Sequence, residues 1–264
     1  MTQPSPLWFA TRGAGTVSLL LLTAVVVLGI ATTTRRQSGP WPRFLTPRVH
    51  GNLALGTLAF LAIHIATAIL DPFAHLRWRD ALVPFGAAYR PLWLGLGVLA
   101  AEGLAALAIT SWLRPRLGYR SWRAVHWIAY ACWPLGLLHG AGTGSDVRSA
   151  WFEAIDAICV GSVFAAVVAW RLGHGWPRAA SFRTMAAIGS GVGVIVFVVW
   201  MLNGPLAPGW ARAAGTPAEL LHSSGPSSPS PTHGAFDKAL KKSSRGIGAP
   251  GGAGPDAVRR DLAG

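Results

Sequence analysis

Six long apolar stretches constrain the fold of this 264-residue chain more than any other feature of its sequence. A helix needs about 20 apolar residues to cross the hydrocarbon core of a bilayer, and each stretch has that length or nearly so. An open β-sheet would leave backbone groups unpaired in lipid, and the alternating pattern of a membrane barrel is absent from the sequence. We therefore predict an all-α membrane protein, a six-helix transmembrane bundle. The stretches are residues 15–34, 48–70, 91–112, 122–140, 151–170 and 182–202.

The charged residues agree with a membrane location. Only 12% of the residues are charged, whereas a soluble domain has about 25%. The net charge is +13, but the basic residues lie between the apolar stretches and form no continuous basic face, so we expect no nucleic-acid partner. The two cysteines, Cys132 and Cys159, lie within apolar stretches and are interpreted as small buried side chains.

The composition divides the chain into three parts. Residues 1–14 are predicted to be a short N-terminal segment, and residues 15–212 the membrane domain. Residues 213–264 contain the Ser/Pro/Gly-rich runs SSGPSSPSPTHG and GAPGGAGPD, which cannot form a packed core, so we predict a disordered tail. The tail is too short for a nucleotide-binding domain and lacks a dinucleotide-binding glycine motif.

Arginines are distributed unequally between the two sets of loops. Eleven arginines lie beside the loops that follow the first, third and fifth stretches, and six lie on the opposite side. Because cytoplasmic loops carry the excess of basic residues, we predict a multi-pass protein of the cell membrane with both termini outside the cytoplasm.

Four of the eight histidines lie within the second and fourth stretches. They are His50 and His64 in one stretch, and His126 and His139 in the other. Ionisable side chains are costly inside a membrane, so each is a candidate functional residue. At 1.5 Å per residue, each pair spans about 20 Å of helix axis. Because the second and fourth helices run parallel, His50 should lie level with His126 near the cytoplasmic side, and His64 level with His139 near the outer side.

Two facing imidazoles at one depth suit the six-coordinate iron of a b-type haem. We therefore predict two stacked b haems, with His50 and His126 as ligands of the inner iron and His64 and His139 as ligands of the outer iron. The alternative interpretation is that the four side chains are unrelated polar residues in helix packing.

Helical rotation tests this arrangement. In an ideal α-helix, a separation of fourteen residues rotates His64 only about 40° about the helix axis from the face of His50. A separation of thirteen residues rotates His139 about 140° from His126. The fourth helix must therefore be distorted, and we expect the distortion near Pro134.

The paired histidines, with spacings H-x13-H and then H-x12-H two helices later, resemble the ferric reductase-like transmembrane domain family. This family includes the haem domains of NADPH oxidases and yeast-type ferric reductases, and the haem subunit of the bacterial methionine sulfoxide reductase system. The resemblance covers roughly residues 12–212. Sequence segments similar to those of small bacterial members are LDPF (70–73), AYRPLWLGLG (88–97), LGYRSWRAVHWIAY (117–130) and LLHGAGTGSD (137–146).

The resemblance implies six helices, two b haems and electron transfer across the membrane. The chain lacks the cytoplasmic FAD/NADPH domain of longer members, so flavin is expected only on a partner protein. The implied donor is a cytoplasmic flavoprotein or quinol. The implied acceptor is an extracytoplasmic FMN-binding protein, a ferric chelate or oxygen.

Three arginines and one acid are further candidates. Arg48 and Arg123 flank the inner histidines and Arg148 follows the outer ones, so each could pair with a haem propionate; they could equally act only as topology determinants. Glu102 is the lone acid near the middle of the third stretch. It is interpreted as hydrogen-bonded within the bundle, with a proton-relay or quinol role as the alternative.

The sequence thus predicts a di-haem integral membrane cytochrome b, the electron-transfer component of a ferric reductase-like oxidoreductase. We expect no catalytic side chain beyond the haem ligands. Two alternatives stay open: a haem-binding anchor subunit without its own substrate site, and a haem-free channel or transporter.

Overall fold

The computed structural model describes residues 5–33, 45–172 and 180–223, and the longer elements in these ranges are all α-helices. The seven main helices are α1 (Pro6–Thr33), α2 (Leu45–Leu70), α3 (Pro91–Trp112), α4 (Arg114–His126), α5 (Ala129–Thr143), α6 (Ala150–Leu172) and α7 (Ala180–Asn203). A 3₁₀ turn covers Trp78–Ala81, and two short helices, α8 (Trp210–Ala213) and α9 (Ala218–Ser223), follow α7.

Five of the described helices, α1, α2, α3, α6 and α7, are long and apolar enough to cross a membrane. The chain is therefore a helical membrane bundle. The fourth predicted stretch, 122–140, is not one continuous helix. It is divided between the end of α4 and α5, and the 15 residues of α5 are fewer than the roughly 20 that a crossing requires.

Helix α1 lies at the centre of the bundle and packs against α2, α5 and α6. Small polar side chains allow a close approach to α2, as is common between membrane helices: Ser18 is buried and its hydroxyl donates a hydrogen bond to the Thr57 carbonyl at 3.3 Å. Farther along α1, Leu22, Val26 and Ile30 form an apolar cluster. Helix α3 packs against α5, and α7 packs against α6.

The break in the fourth stretch lies at Trp127 and Ile128, not at Pro134. The expected position of the distortion was therefore wrong. Pro134 lies inside α5, and its ring conflicts with the carbonyl four residues earlier, that of Tyr130. Helix α5 nevertheless begins at Ala129 and continues through the proline, so the interruption lies before the Tyr130 carbonyl.

The chain is overwound across this break. The amide groups of Trp127, Ile128, Tyr130 and Ala131 donate to carbonyls three residues earlier instead of four. Such bonds wind the chain at 3.0 residues per turn, about 20° per residue more than an α-helix. Four residues therefore add about 80° of rotation, which reduces the expected mismatch between the two histidines of this stretch from about 140° to about 60°.

The ends of the bundle differ from the predicted domain boundaries. Helix α1 begins at Pro6, nine residues before the first predicted helix. In this additional part, Arg12 pairs with Asp146, in the segment after α5, at 2.8 Å, and its guanidinium lies 4.3 Å from the ring centre of Trp8 in the same helix. The ordered chain also continues past residue 213 into α9. Residues 224–264, most of the predicted tail, lie outside the described residues.

Candidate functional site

Two pairs of histidine rings face each other in the bundle. The ring centroids of His64 and His139 are 6.0 Å apart, with an interplanar angle of 84°. Those of His50 and His126 are 6.3 Å apart, with an angle of 57°. The structure thus brings together the same pairs that the helix spacing predicts, which we call the outer pair and the inner pair.

The helices that carry these rings do not pack directly on each other. Helix α2 carries His50 and His64, whereas His126 is the last residue of α4 and His139 lies in α5. In the described part of the chain, α2 has no extensive backbone contact with α4 or α5. Facing imidazoles therefore extend from opposite sides into a space between helices.

Backbone carbonyls anchor the outer pair. Nδ1 of His64 lies 2.8 Å from the Thr11 carbonyl of α1, and Nδ1 of His139 lies 3.0 Å from the Trp93 carbonyl of α3. Because a carbonyl only accepts hydrogen bonds, Nδ1 must carry the proton in each ring. In a neutral imidazole this leaves the lone pair of Nε2 free to bind a metal.

The inner pair is held in a different way. Nδ1 of His126 is buried and has no hydrogen-bond partner among the described residues. Its ring stacks on Trp122, one turn earlier in α4, with centroids 4.7 Å apart and an interplanar angle of 27°. His50 interacts with the backbone of Val25, but its buried Nδ1 has no partner at normal hydrogen-bond geometry.

A large, mainly apolar cavity surrounds the outer pair. Residues of α1, α2, α3, α5 and α6 line it, including Leu22, Val98 and Phe152. At its loop end, Arg12 and Arg77 contribute to the lining. Sequence reasoning treated these two arginines only as topology signals; the extension of α1 to Pro6 and the fold of the loop before α3 are what bring them to the cavity.

The three arginines predicted to pair with propionates differ from Arg12 and Arg77 in their position. Arg48, Arg123 and Arg148 are all exposed, and none of them lines the cavity around the outer pair. Arg48 is two residues before His50 in α2, and Arg123 is three residues before His126 in α4, so both remain close in sequence to the inner pair.

Within the long helices that the structure describes, the buried acid is not the one that the sequence singled out. Glu102 is exposed on α3, so its side chain does not point into the bundle as expected. Asp156 in α6 is instead 3% exposed, and neither of its carboxyl oxygens has a hydrogen-bond partner among the described residues. One acid near the start of an apolar stretch is a weak sequence signal, which is why it was missed.

A buried arginine just before α3 forms hydrogen bonds with the end of α5 and with the segment after α8. Arg90 is 4% exposed; it donates to the Gly142 carbonyl at 2.8 Å and to the Thr216 hydroxyl at 2.9 Å. Gly142 also accepts a hydrogen bond from the indole of Trp210 at 3.3 Å. Burial lowers the pKa of the Arg90 guanidinium and raises that of the neighbouring Tyr89 phenol.

Among the residues that the structure describes, two histidine rings face each other at each level. No group of three or more His, Cys, Asp or Glu side chains that could hold a metal ion occurs among the described residues. An ion between either pair of imidazoles would therefore take its remaining ligands from something other than these side chains.

Comparison with known proteins identifies the family. Residues 14–137 match the family model described as ferric reductase like transmembrane component. The "Protein-methionine-sulfoxide reductase heme-binding subunit MsrQ" of Bordetella pertussis is 32% identical over 187 residues, which cover 68% of this chain and 81% of the relative. The proteins of the same name from Bordetella parapertussis and Bordetella bronchiseptica match to the same extent. No solved structure matches the chain. The chain therefore belongs to the ferric reductase-like transmembrane family.

Proposed function

We propose that this chain is a di-haem membrane cytochrome b that carries electrons across the cell membrane for a partner oxidoreductase. His50 and His126 would hold the inner haem, and His64 and His139 the outer haem. The observation that carries the proposal is the separation of the paired rings, 6.3 Å and 6.0 Å.

The separation fits two imidazoles on one iron. A metal–imidazole bond is about 2 Å long, which puts each ring centre roughly 3 Å from the metal and two such centres about 6 Å apart. Both pairs have this spacing although their second histidines lie on different helices, α4 and α5.

The rest of the surroundings also suits a haem. Within the described part of the chain two histidines face each other at each level, and a porphyrin would supply the other ligands of a six-coordinate iron. The space between α2 and α5, and the apolar lining around the outer pair, agree with a flat apolar group between the rings. When bound, the haem supplies a centre that takes up and releases one electron.

The protein itself would hold the haems, orient the histidine rings and keep water away from the outer site. The Thr11 and Trp93 carbonyls keep the proton of His64 and His139 on Nδ1, so that Nε2 of each ring would be free to hold the iron. The apolar lining excludes water from the outer site. Arg12 and Arg77 at its loop end are suited to the haem propionates. For the inner haem, Arg48 and Arg123 stay candidates for that role.

The relatives suggest the kind of partner. They are named as haem-binding subunits of a protein-methionine-sulfoxide reductase, and we propose that this chain likewise supplies electrons to a separate reductase outside the cytoplasm. A ferric chelate or an FMN-binding protein is a further possible acceptor. The donor would be a cytoplasmic flavoprotein or quinol.

The proposed topology has six crossings. Five are the long apolar helices, and the sixth is made by the end of α4 together with α5, which are joined across the overwound turn at Trp127 and Ile128. The distribution of arginines favours both termini outside the cytoplasm.

Haem stoichiometry tests the proposal. The full chain, purified in detergent, should contain two b haems per polypeptide by pyridine haemochrome analysis. His139→Ala should lose the outer haem and His126→Ala the inner haem, each keeping one. A wild-type chain without haem, or a His139→Ala chain that still binds two, would contradict it.

A further inference from the structure

Two of the four paired histidines, His64 and His139, form a hydrogen bond with a carbonyl of the neighbouring helix, and His50 lies in a related position without one. Each imidazole faces the backbone of one residue, and the residue four positions later is a glycine that touches the ring. The three residue–glycine pairs are Thr11 and Gly15 beside His64, Val25 and Gly29 beside His50, and Trp93 and Gly97 beside His139.

Helix geometry explains why a glycine is needed at that position. In an α-helix the Cα–Cβ bonds tilt toward the N-terminus, so a side chain covers the turn before its own Cα. The side chain at position i+4 therefore lies over the carbonyl of residue i. That carbonyl already accepts a hydrogen bond from the amide of residue i+4, and only an uncovered carbonyl can accept a second one from an imidazole.

The closeness of the glycine differs among the three. A Cβ placed on Gly15 would lie 2.8 Å from Nδ1 and 3.0 Å from Cε1 of His64, and one on Gly97 would overlap the His139 ring even more closely. A Cβ on Gly29 would lie 3.7 Å from Cε1 of His50, which is an ordinary contact. The two close approaches are thus the two glycines of the outer pair.

We propose that Gly15 and Gly97 are positioning residues of the outer site. Each exposes one backbone carbonyl so that the facing histidine donates from Nδ1 and presents Nε2 to the gap between α2 and α5. This inference rests on the proposed function, since it concerns how the outer haem ligands are oriented. Gly29 is not needed in this way, because a side chain there would make only an ordinary contact with His50. His126 stacks on Trp122 and has no such glycine beside it among the described residues.

The role has a spectroscopic consequence. A hydrogen bond from Nδ1 to a carbonyl makes an imidazole a stronger donor to its metal and sets the orientation of its ring. A methyl group at position 15 or 97 would push the ring away from the carbonyl. The ferric low-spin electron paramagnetic resonance signal of the outer haem and its midpoint potential should then both change, the potential rising as the ligand becomes a weaker donor.

The experiment compares four variants of the full chain: Gly15→Ala, Gly97→Ala, Gly29→Ala and Gly13→Ala. Gly13 is the matched control for Gly15, because it lies in the same helix and a Cβ there would meet nothing within 4 Å. Each variant is assayed for haem content, for the ferric low-spin signals and by potentiometric titration. We expect Gly15→Ala and Gly97→Ala to shift one of the two signals or to lose one haem, with the other haem unchanged, and Gly29→Ala and Gly13→Ala to resemble the wild type.

Several results would overturn the inference. One is that Gly15→Ala and Gly97→Ala keep both haems with wild-type signals and potentials; another is that Gly13→Ala changes the outer haem as much as Gly15→Ala does. If the Gly97→Ala chain does not fold, the Gly15→Ala variant alone tests the inference. Loss of both haems from the Gly15→Ala chain would also contradict it, because the proposed role concerns only the outer site. Failure of the proposed function looks different, since a wild-type chain would then bind no haem at all.

Discussion

The outer and inner histidine pairs have nearly the same spacing but are supported by different structures. Hydrogen bonds to carbonyls of α1 and α3 hold the outer rings within the bundle. The inner rings lie near the start of α2 and at the end of α4, and neither has a hydrogen bond of normal geometry on Nδ1 among the described residues. Two imidazoles can therefore reach the same separation either through backbone anchors or through stacking on a neighbouring indole.

Because the two pairs are supported differently, the outer and inner sites should be sensitive to different substitutions. The outer ligands depend on the relative placement of four helices, α1, α2, α3 and α5, so a disturbance of helix packing should reach them. The inner ligand His126 depends on its own helix, through Trp122 one turn away. Trp122 is in turn held by Ser111, whose hydroxyl lies 3.3 Å from the indole nitrogen, and by Arg114, 4.5 Å from the ring centre.

The largest effect is expected from Arg90→Met, which should weaken the outer site selectively. The change removes two hydrogen bonds from a buried guanidinium, which we expect to lower the free energy of unfolding by about 3 kcal/mol, since bonds to charged groups contribute roughly 1.5–3 kcal/mol each. Gly142, one of the partners, contacts Trp93, whose carbonyl faces His139. Thermal unfolding in detergent, followed at the haem absorption band, measures the loss.

The matched control for Arg90→Met is Arg148→Met, an exposed arginine close to the same end of the bundle. It should leave the melting temperature unchanged. If Arg90→Met released the inner haem before the outer one, the separation between the two sites that we describe would be wrong.

An intermediate effect is expected from Trp122→Leu, which should weaken only the inner site. Loss of an aromatic stack costs about 0.5–1.5 kcal/mol beyond the buried area, so haem should leave the inner site up to about tenfold more readily. Transfer of haem to an excess of a scavenging apoprotein measures this. Trp127→Leu, which changes an exposed indole in the same region, is the control, and equal release from both variants would argue against the stack.

The smallest effect is expected from Arg12→Gln, which tests the contribution of the loop end of the cavity to the outer site. The ion pair with Asp146 is partly exposed, 22% and 23% for the two side chains, and such pairs contribute about 0–1 kcal/mol. We expect a small decrease in outer-haem retention, including any contribution from a lost propionate contact. Arg148→Gln should have no effect, and a larger effect there would favour the role that sequence reasoning assigned to Arg148.

Much of the site could be predicted from the sequence because depth in a membrane follows from counting residues. The rise per residue places His50 and His64 about 20 Å apart along α2, and the apolar length of each stretch sets where it crosses. The pairing of His50 with His126 and of His64 with His139 was predicted in this way, and the structure shows both pairs of rings facing each other.

The predictions that failed depended on rotation or on contacts between distant segments. The position of the helix break, the exposure of Glu102 and the start of α1 at Pro6 all differ from expectation, and the burial of Asp156 was not predicted at all. Each depends on how one helix meets another, which hydropathy along a single stretch does not encode.

The sequence by itself determined that this chain is a helical membrane protein and how far apart along the helix axis its paired histidines lie, because the rise per residue of an α-helix is nearly constant. Only the tertiary structure decided whether those histidines face each other and what holds them. Four overwound residues around Trp127 and Ile128 rotate His139 toward His64, and glycines on α1 and α3 expose the carbonyls that anchor the outer rings. Rotation about a helix axis and access to a backbone carbonyl are set by the neighbouring helices, not by the order of residues within one helix.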